Sequence, residues 1–294
     1  MTPPRVLVLG GSGMLGHKLW QVFSGRFDTY VTLRGRDSAL ARLGIDPERT
    51  VPNVSAETFE TVVRAVADVR PQVVVNCIGI VKQAPEARDP LSSILVNSLL
   101  PHRVAELCRA AGARLIHVST DCVFSGSAGR YTEADIPDPE DLYGRSKLLG
   151  EVADGACLTV RTSIVGRELR RSNGFLEWFL AQAGGSVRGF RRAIFSGLST
   201  AALAEVLAEV ISDHPELAGL RHVASEPISK FDLLQLLKDA YGLEVEIVPD
   251  DDVVSDRSLD GKRFEQETGL RRKTWPEMAA ALAGDETPYH ELRS

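Results

Sequence analysis

The stretch RVLVLGGSGMLG at residues 5–16 constrains the fold more than any other part of the chain. An apolar, β-branched run enters a turn carrying Gly10, Gly13 and Gly16, and Gly11 also permits the Gly-x-Gly-x-x-Gly reading. Glycines are needed where a backbone turns tightly and must approach a pyrophosphate. A helix starting near Met14 then aims its N-terminal N–H groups at that anion. A glycine triplet alone is weak evidence, but here a strand precedes it and an amphipathic helix follows, which is the required context. Met14 and Leu15, lying between the glycines, join Gly10, Gly13 and Gly16 as candidate cofactor contacts.

Further along, short apolar runs alternate with helical patterns. Strands are expected at residues 5–10, 29–33, 72–79, 114–120 and 157–161, and helices at 14–23, 56–69, 91–111 and 143–152, with Gly112 as the cap of the third helix. Unbroken apolar runs point to strands buried on both faces, as in a parallel sheet. The alternation argues an α/β fold with a doubly wound (Rossmann) sheet. After about Gly166 the pattern changes. Arg167, Arg170, Arg171, Arg188, Arg191 and Arg192 crowd a glycine-containing stretch, and helices are expected at 200–211 and 230–241, with strands at 220–223 and 244–248. The expected division is a dinucleotide-binding domain over 1–165 and a smaller substrate-binding lobe over 166–294, interleaved with the first.

Composition narrows the function classes. A formal net charge of -6 argues against nucleic acid as a partner, which calls for a basic face. No apolar run approaches the roughly 20 residues needed to span a bilayer, and the N-terminal apolar stretch is too short for a signal peptide. Cys77, Cys108, Cys122 and Cys157 are widely spaced, without metal-ligand spacing, and read as reduced thiols of a cytoplasmic protein; no metal is expected.

The strongest chemical signal is Tyr143-Gly-Arg-Ser-Lys147, which places Tyr143 and Lys147 on one face of a helix. A phenol titrates near ~10, and a neighbouring ammonium favours the phenolate and is expected to lower that value. The lysine also suits the nicotinamide ribose hydroxyls. The pair follows the strand RLIHVSTD, whose carboxyl end carries Ser119, Thr120 and Asp121, where open α/β sheets place their ligands. Thr120 is positioned to bond a substrate carbonyl while Tyr143 delivers the proton. The second strand ends in LRGRD, offering Arg34 and Arg36 where an acidic residue would suit NAD. Two cations match a 2′-phosphate, so NADPH is the expected cofactor and NADH the alternative.

GGSGMLG, VNCIGI, HVSTDCVFSG, YTEADIPDPEDLYGRSKLLGE and the later DRSLD together resemble the dTDP-4-dehydrorhamnose reductase family of extended short-chain dehydrogenases. The resemblance covers nearly the whole chain and is most specific between Ser119 and Glu151. It implies reduction of the 4-keto group of a nucleotide-linked 6-deoxysugar, with Thr120, Tyr143 and Lys147 catalytic and Asp121 beside them. It also implies cofactor contacts from Cys77 and Gly79, and an asparagine supporting the lysine at Asn97, which the sequence alone reads equally well as helix packing. Lys82 and Gln83 replace residues expected near the sugar, and Cys122 departs from the family's aromatic position. Arg257, with Arg191 or Arg192, would hold the substrate diphosphate. A homodimer is the candidate assembly. Two alternatives stay open: an epimerase or dehydratase on the same scaffold, and a non-catalytic NADP-binding subunit like the beta subunit of methionine adenosyltransferase.

Overall fold

Apolar runs without polar alternation become the interior of one parallel sheet. The structure is a computed structural model describing residues 3–35, 43–170 and 174–293. The sheet contains β1 (Arg5–Leu9), β2 (Asp28–Thr32), β3 (Thr50–Val51), β4 (Val73–Asn76), β5 (Arg114–Thr120) and β6 (Cys157–Thr162). The strand Gly219–His222 completes it in the order Gly219–His222, β6, β5, β4, β1, β2, β3, all parallel. Alternate residues serve opposite faces. Val6 and Val8 pack with Leu19, Phe23, Leu203 and Leu207, while Leu7 and Leu9 pack with Val62, Val66 and Val104. Full burial of such a side chain is worth roughly 1.5–3 kcal/mol, so a doubly wound arrangement satisfies both faces of every central strand.

All five expected strands of the first half are present. β3 was not expected, because two residues carry no periodic pattern. The first helix begins at Gly16, two residues later than expected, and runs to Phe23. The helix expected over 91–111 is interrupted: Pro90–Ser93 and Leu100–Ala111 are α-helical, but Ile94–Leu99 between them is a π-helix. Gly112 ends it in the left-handed region at φ 67°. The strand expected at 220–223 forms one edge of the main sheet, pairing in parallel with β6 from Gly219↔Leu158 to His222↔Arg161.

Beyond residue 166 the chain builds small pairings: Ser186–Phe190 with Glu246–Asp250, and Ala193–Phe195 between Ile228–Ser229 and Ser255–Asp256. Helix Thr200–Asp213 returns to pack Leu203 and Leu207 in the same core as Leu19. The segment near residue 289 braces the glycine loop from behind. Tyr289 Oη lies 3.1 Å from His17 Nε2, His17 Nδ1 lies 2.9 Å from the Gly13 carbonyl, and Lys18 pairs with Asp285 at 2.6 Å. Burial pushes His17 down to about 4, so the imidazole is neutral there at pH 7. Among the described residues no helix is long and apolar enough to cross a membrane.

Candidate active site

The chain order of the strands reverses between β1 and β4, and the glycine loop closes over that point. Gly10 has φ 89°, and an added Cβ would lie 3.2 Å from Ile78 Cγ1 at the end of β4. At Gly11 a Cβ would stand 2.6 Å from Val31 Cβ, and at Gly16 it would overlap the Gly10 carbonyl oxygen. At Gly13 an added Cβ would stand 3.2 Å from the Gly10 carbonyl oxygen, a tight contact without overlap. Three glycines therefore let loop, strand and helix touch backbone to backbone, leaving the helix N-terminus free of side-chain cover. Leu15 is buried in the core, so its side chain is unavailable to a ligand and only its backbone faces the loop. Met14 is half-buried and reaches toward Gly174. Arg34 is exposed, with Glu57 at 3.8 Å; Arg36 lies outside the described residues.

Tyr143 and Lys147 sit on the helix Leu142–Leu149, capped by Asp141, whose carboxylate accepts the Gly144 N–H at 2.8 Å. Two glycines set the seat of this helix. A Cβ at Gly144 would overlap the Cys122 carbonyl oxygen, and one at Gly150 the Asn97 carbonyl oxygen. Close approach to Cys122 brings Tyr143 against Thr120 at the carboxyl end of β5. Close approach to Asn97 couples the helix to the π-turn, a feature often found at functional sites. Asn97 is buried; its Oδ1 accepts the Ile80 N–H at 2.9 Å, and its Nδ2 donates to the Ile80 carbonyl at 3.1 Å and Ser146 Oγ at 3.2 Å. It thus fixes the loop after β4 to the residue beside Lys147 and is committed to the protein. Gly79 completes that corner, since a Cβ there would stand 4.0 Å from Lys147 Nζ.

Electrostatics correct one expectation. The Tyr143 phenol is pushed up, not down, because burial disfavours the phenolate; the Cys122 thiol adds to this and the hydrogen bond with Thr120 opposes it. Lys147 is pushed down to about 8 by burial, with Glu151 and Cys77 opposing. Its Nζ donates to the Val118 carbonyl at 2.7 Å. Burial raises the Cys77 thiol to about 12, so Cys77 is neutral beside the lysine at pH 7. Glu151, which the sequence did not single out, accepts from Ser119 Oγ at 2.7 Å and from Arg161 Nε and Nη2 at 2.8 and 2.7 Å. This nearly buried fork ties the end of the Tyr143 helix to β5 and β6.

On the substrate side the candidates separate. Asp121 is buried beside Thr120, whose Oγ1 donates to it at 3.2 Å. Arg257 is half-buried under the same turn, its Nε donating to the Phe124 carbonyl at 2.9 Å. Lys82 pairs with Asp141 at 2.7 Å and so bears on the cap of the Tyr143 helix; Gln83 is exposed nearby. Arg191 is exposed and held by Asp251, to which its Nε donates at 2.9 Å, and Arg188 pairs with Asp250 and Asp252. Arg192 is exposed in the same turn between the strands Ser186–Phe190 and Ala193–Phe195. Arg167 is paired with Glu177 at 2.7 Å, and Arg171 lies outside the described residues. Three of the six arginines that crowd the sequence after Gly166, Arg167, Arg188 and Arg191, are thus ion-paired, and Lys230, which the sequence reading passed over, is the additional cation facing Asp121.

The family model described as RmlD substrate binding domain matches residues 4–283. The chain belongs to that family. A dTDP-4-dehydrorhamnose reductase of Streptomyces griseus is 38% identical over 151 residues, covering 51% of this chain and 44% of that protein. Methionine adenosyltransferase 2 subunit beta of Rattus norvegicus is 32% identical over 157 residues, covering 51% and 42%. The chain thus spans less than half the length of these first curated relatives. A dTDP-4-dehydrorhamnose reductase of Mycolicibacterium smegmatis is 29% identical over 254 residues, covering 83% and 71%. Among solved structures, the Bacillus anthracis dTDP-4-dehydrorhamnose reductase in complex with NADP superposes with TM-score 0.79 at 21% identity, covering 96% of this chain and 99% of that one. The Thermus thermophilus UDP-glucose 4-epimerase in complex with NAD superposes with TM-score 0.77 at 20% identity, covering 95% and 97%. The seven-stranded parallel sheet is therefore the fold of this RmlD family, as the sequence implied.

Proposed function

We propose that this member of the RmlD family is an NAD(P)H-dependent reductase of the 4-keto group of a nucleotide-linked 6-deoxysugar. The observation that carries the reading is Tyr143 held against Thr120 at the carboxyl end of β5, with Lys147 one turn further along the same helix. The cofactor fits this chain because Gly10, Gly11 and Gly16 let the loop pack tightly on Ile78, Val31 and its own backbone, holding the turn at the N-terminus of the first helix where a pyrophosphate would bind. The glycine loop and the N-terminus of helix Gly16–Phe23 would hold its pyrophosphate, Lys147 its ribose hydroxyls and Arg34 its 2′-phosphate. Bound there, the nicotinamide supplies hydride. Thr120 orients the substrate carbonyl by hydrogen bonding, and Tyr143 gives its phenolic proton to the carbonyl oxygen as negative charge develops there. The raised pKa of Tyr143 suits a donor that stays protonated until that moment.

The matches to the beta subunit of methionine adenosyltransferase favour a second reading, a cofactor-binding subunit without turnover. Thr120, Tyr143 and Lys147 together support the reductase. NADPH oxidation across a panel of 4-keto-6-deoxy sugar nucleotides separates the two: oxidation with at least one is expected, and none with any substrate overturns the proposal. An epimerase would instead keep its cofactor through purification, visible in the absorption spectrum.

Two further results are expected. NADPH should bind more tightly than NADH, and Arg34→Asp should remove about tenfold or more of that preference, since a charge-assisted hydrogen bond is worth roughly 1.5–3 kcal/mol; titration of both cofactors against both proteins measures it. Arg257→Ala should raise KM for the sugar nucleotide about tenfold with a smaller change in kcat, the pattern of lost uniform binding, whereas Arg191→Ala, already held by Asp251, should change KM less than threefold or so. Equal KM values for all three proteins would move the diphosphate away from Arg257.

A further inference from the structure

Among the described residues, one ammonium beside Asp121 forms no ion pair. Lys230 heads the helix Lys230–Tyr241, where a cation opposes the helix dipole. Its Nζ stands 3.8 Å from the Phe195 ring centroid and 4.5 Å from that of Phe175. Two aromatic faces thus confine it, and among the described residues it makes no hydrogen bond or ion pair, though an ammonium carries three donors. The charged groups that act on it are Asp121 and Arg257; the Cys122 thiol in the same turn is raised to about 12 by burial and so stays neutral at pH 7. Lys230 and Arg257 therefore bring two cations to one buried carboxylate, and burial pushes that carboxylate, Asp121, toward its neutral form. Lys82, the other cation near Cys122, is paired with Asp141. The turn after Thr120 is left with the unspent donors of Lys230 and with Arg257, whose Nη2, among the described residues, meets only the exposed Glu140 at 4.0 Å. Phe175 follows Gly174, and a Cβ at Gly174 would lie 3.0 Å from Met14 Cε. Lys230 accordingly stands where the glycine-loop side of the cleft meets the catalytic turn.

We propose that Lys230 is a substrate-binding residue that, together with Arg257, holds the diphosphate of a nucleoside diphosphate sugar across the mouth of the site beside Asp121. The phenyl faces of Phe195 and Phe175 keep the ammonium extended toward the cleft and partly desolvated, which strengthens its pull on an anion. The aromatic seat offsets the unfavourable position of a cation at a helix start. A compact ammonium takes one phosphate oxygen as a point charge while the half-buried Arg257 fork takes the other. The inference rests on the reductase reading only for the identity of the anion; the cation pair itself is independent of turnover.

Calorimetric titration of the full chain with dTDP and with inorganic pyrophosphate, at saturating NADPH, tests this. Lys230→Met should weaken both ligands about ten- to hundredfold, Lys230→Arg should keep most of the affinity, and NADPH binding should stay within about twofold of the parent. Lys230→Gln gives the same comparison if the methionine protein does not fold. Unchanged dTDP affinity in a folded Lys230→Met or Lys230→Gln protein overturns the proposal. So does a loss confined to NADPH, which would assign the ammonium to the cofactor's phosphates. A parent protein that binds neither diphosphate overturns it as well. A parent that binds dTDP through Lys230 yet reduces no 4-keto sugar nucleotide leaves this inference standing and removes the proposed activity instead.

Discussion

Tyr143→Phe should lower kcat for a 4-keto sugar nucleotide about a hundred- to ten-thousandfold, the range contributed by a positioned general acid, while NADPH affinity stays near that of the parent. The ring of Tyr143 is half-buried against Thr120 and the Cys122 turn, so phenylalanine keeps the packing and loses only the transferable proton. Thr120 cannot substitute as the acid, because an aliphatic hydroxyl gives up its proton far less readily than a phenol and can only hydrogen-bond the carbonyl once its donor turns from Asp121, 3.2 Å away. Stopped-flow measurement of NADPH oxidation with single-turnover substrate isolates the chemical step. A Tyr143→Phe protein within tenfold of the parent would leave the phenol without a role in proton delivery.

Gly16→Ala should abolish measurable cofactor binding, a loss of about a hundredfold or more, since the backbone amides that meet the pyrophosphate move with the loop. The added methyl group would overlap the Gly10 carbonyl oxygen, which is backbone and cannot rotate away as a side chain could. Relief requires Gly10 to leave φ 89° or the helix Gly16–Phe23 to lift, and His17, bonded to the Gly13 carbonyl and Tyr289, resists the second. Gly25→Ala, beyond the far end of the same helix, is the internal control, because its Cβ would meet no atom within 4 Å. Fluorescence titration of NADPH with both variants, alongside thermal melts, checks the contrast; equal affinities would mean that the loop is not closed as described.

Much of the site was legible because its chemistry depends on residue types at short spacings. Gly10, Gly13 and Gly16 lie within one turn, Tyr143 and Lys147 one helical turn apart, and Thr120 closes an apolar run whose strand character was plain. Such patterns survive without knowledge of the fold, since each is local. The arginines after Gly166 show the opposite. Their density suggested a phosphate site, but Asp250, Asp251 and Asp252 arrive from about sixty residues away to pair with Arg188 and Arg191. Lys230 was overlooked for the same reason: in sequence it is an ordinary lysine at a helix start, and its significance comes from Phe175, Phe195 and Asp121, which are distant along the chain.

The sequence by itself determined the parallel doubly wound sheet, the glycine turn over its first helix and the Tyr143–Lys147 pair, because burial on both faces, backbone approach and helical periodicity are each written in neighbouring residues. Tertiary structure alone decided how that pair is tuned. The π-turn at Ile94–Leu99 puts Asn97 on Ile80 and Ser146, Gly144 and Gly150 bring the helix onto the Cys122 and Asn97 carbonyls, and burial there raises Tyr143 while lowering Lys147 to about 8. A pKa depends on how far water is excluded and which charges stand nearby, and these are properties of contacts between segments that no local pattern encodes.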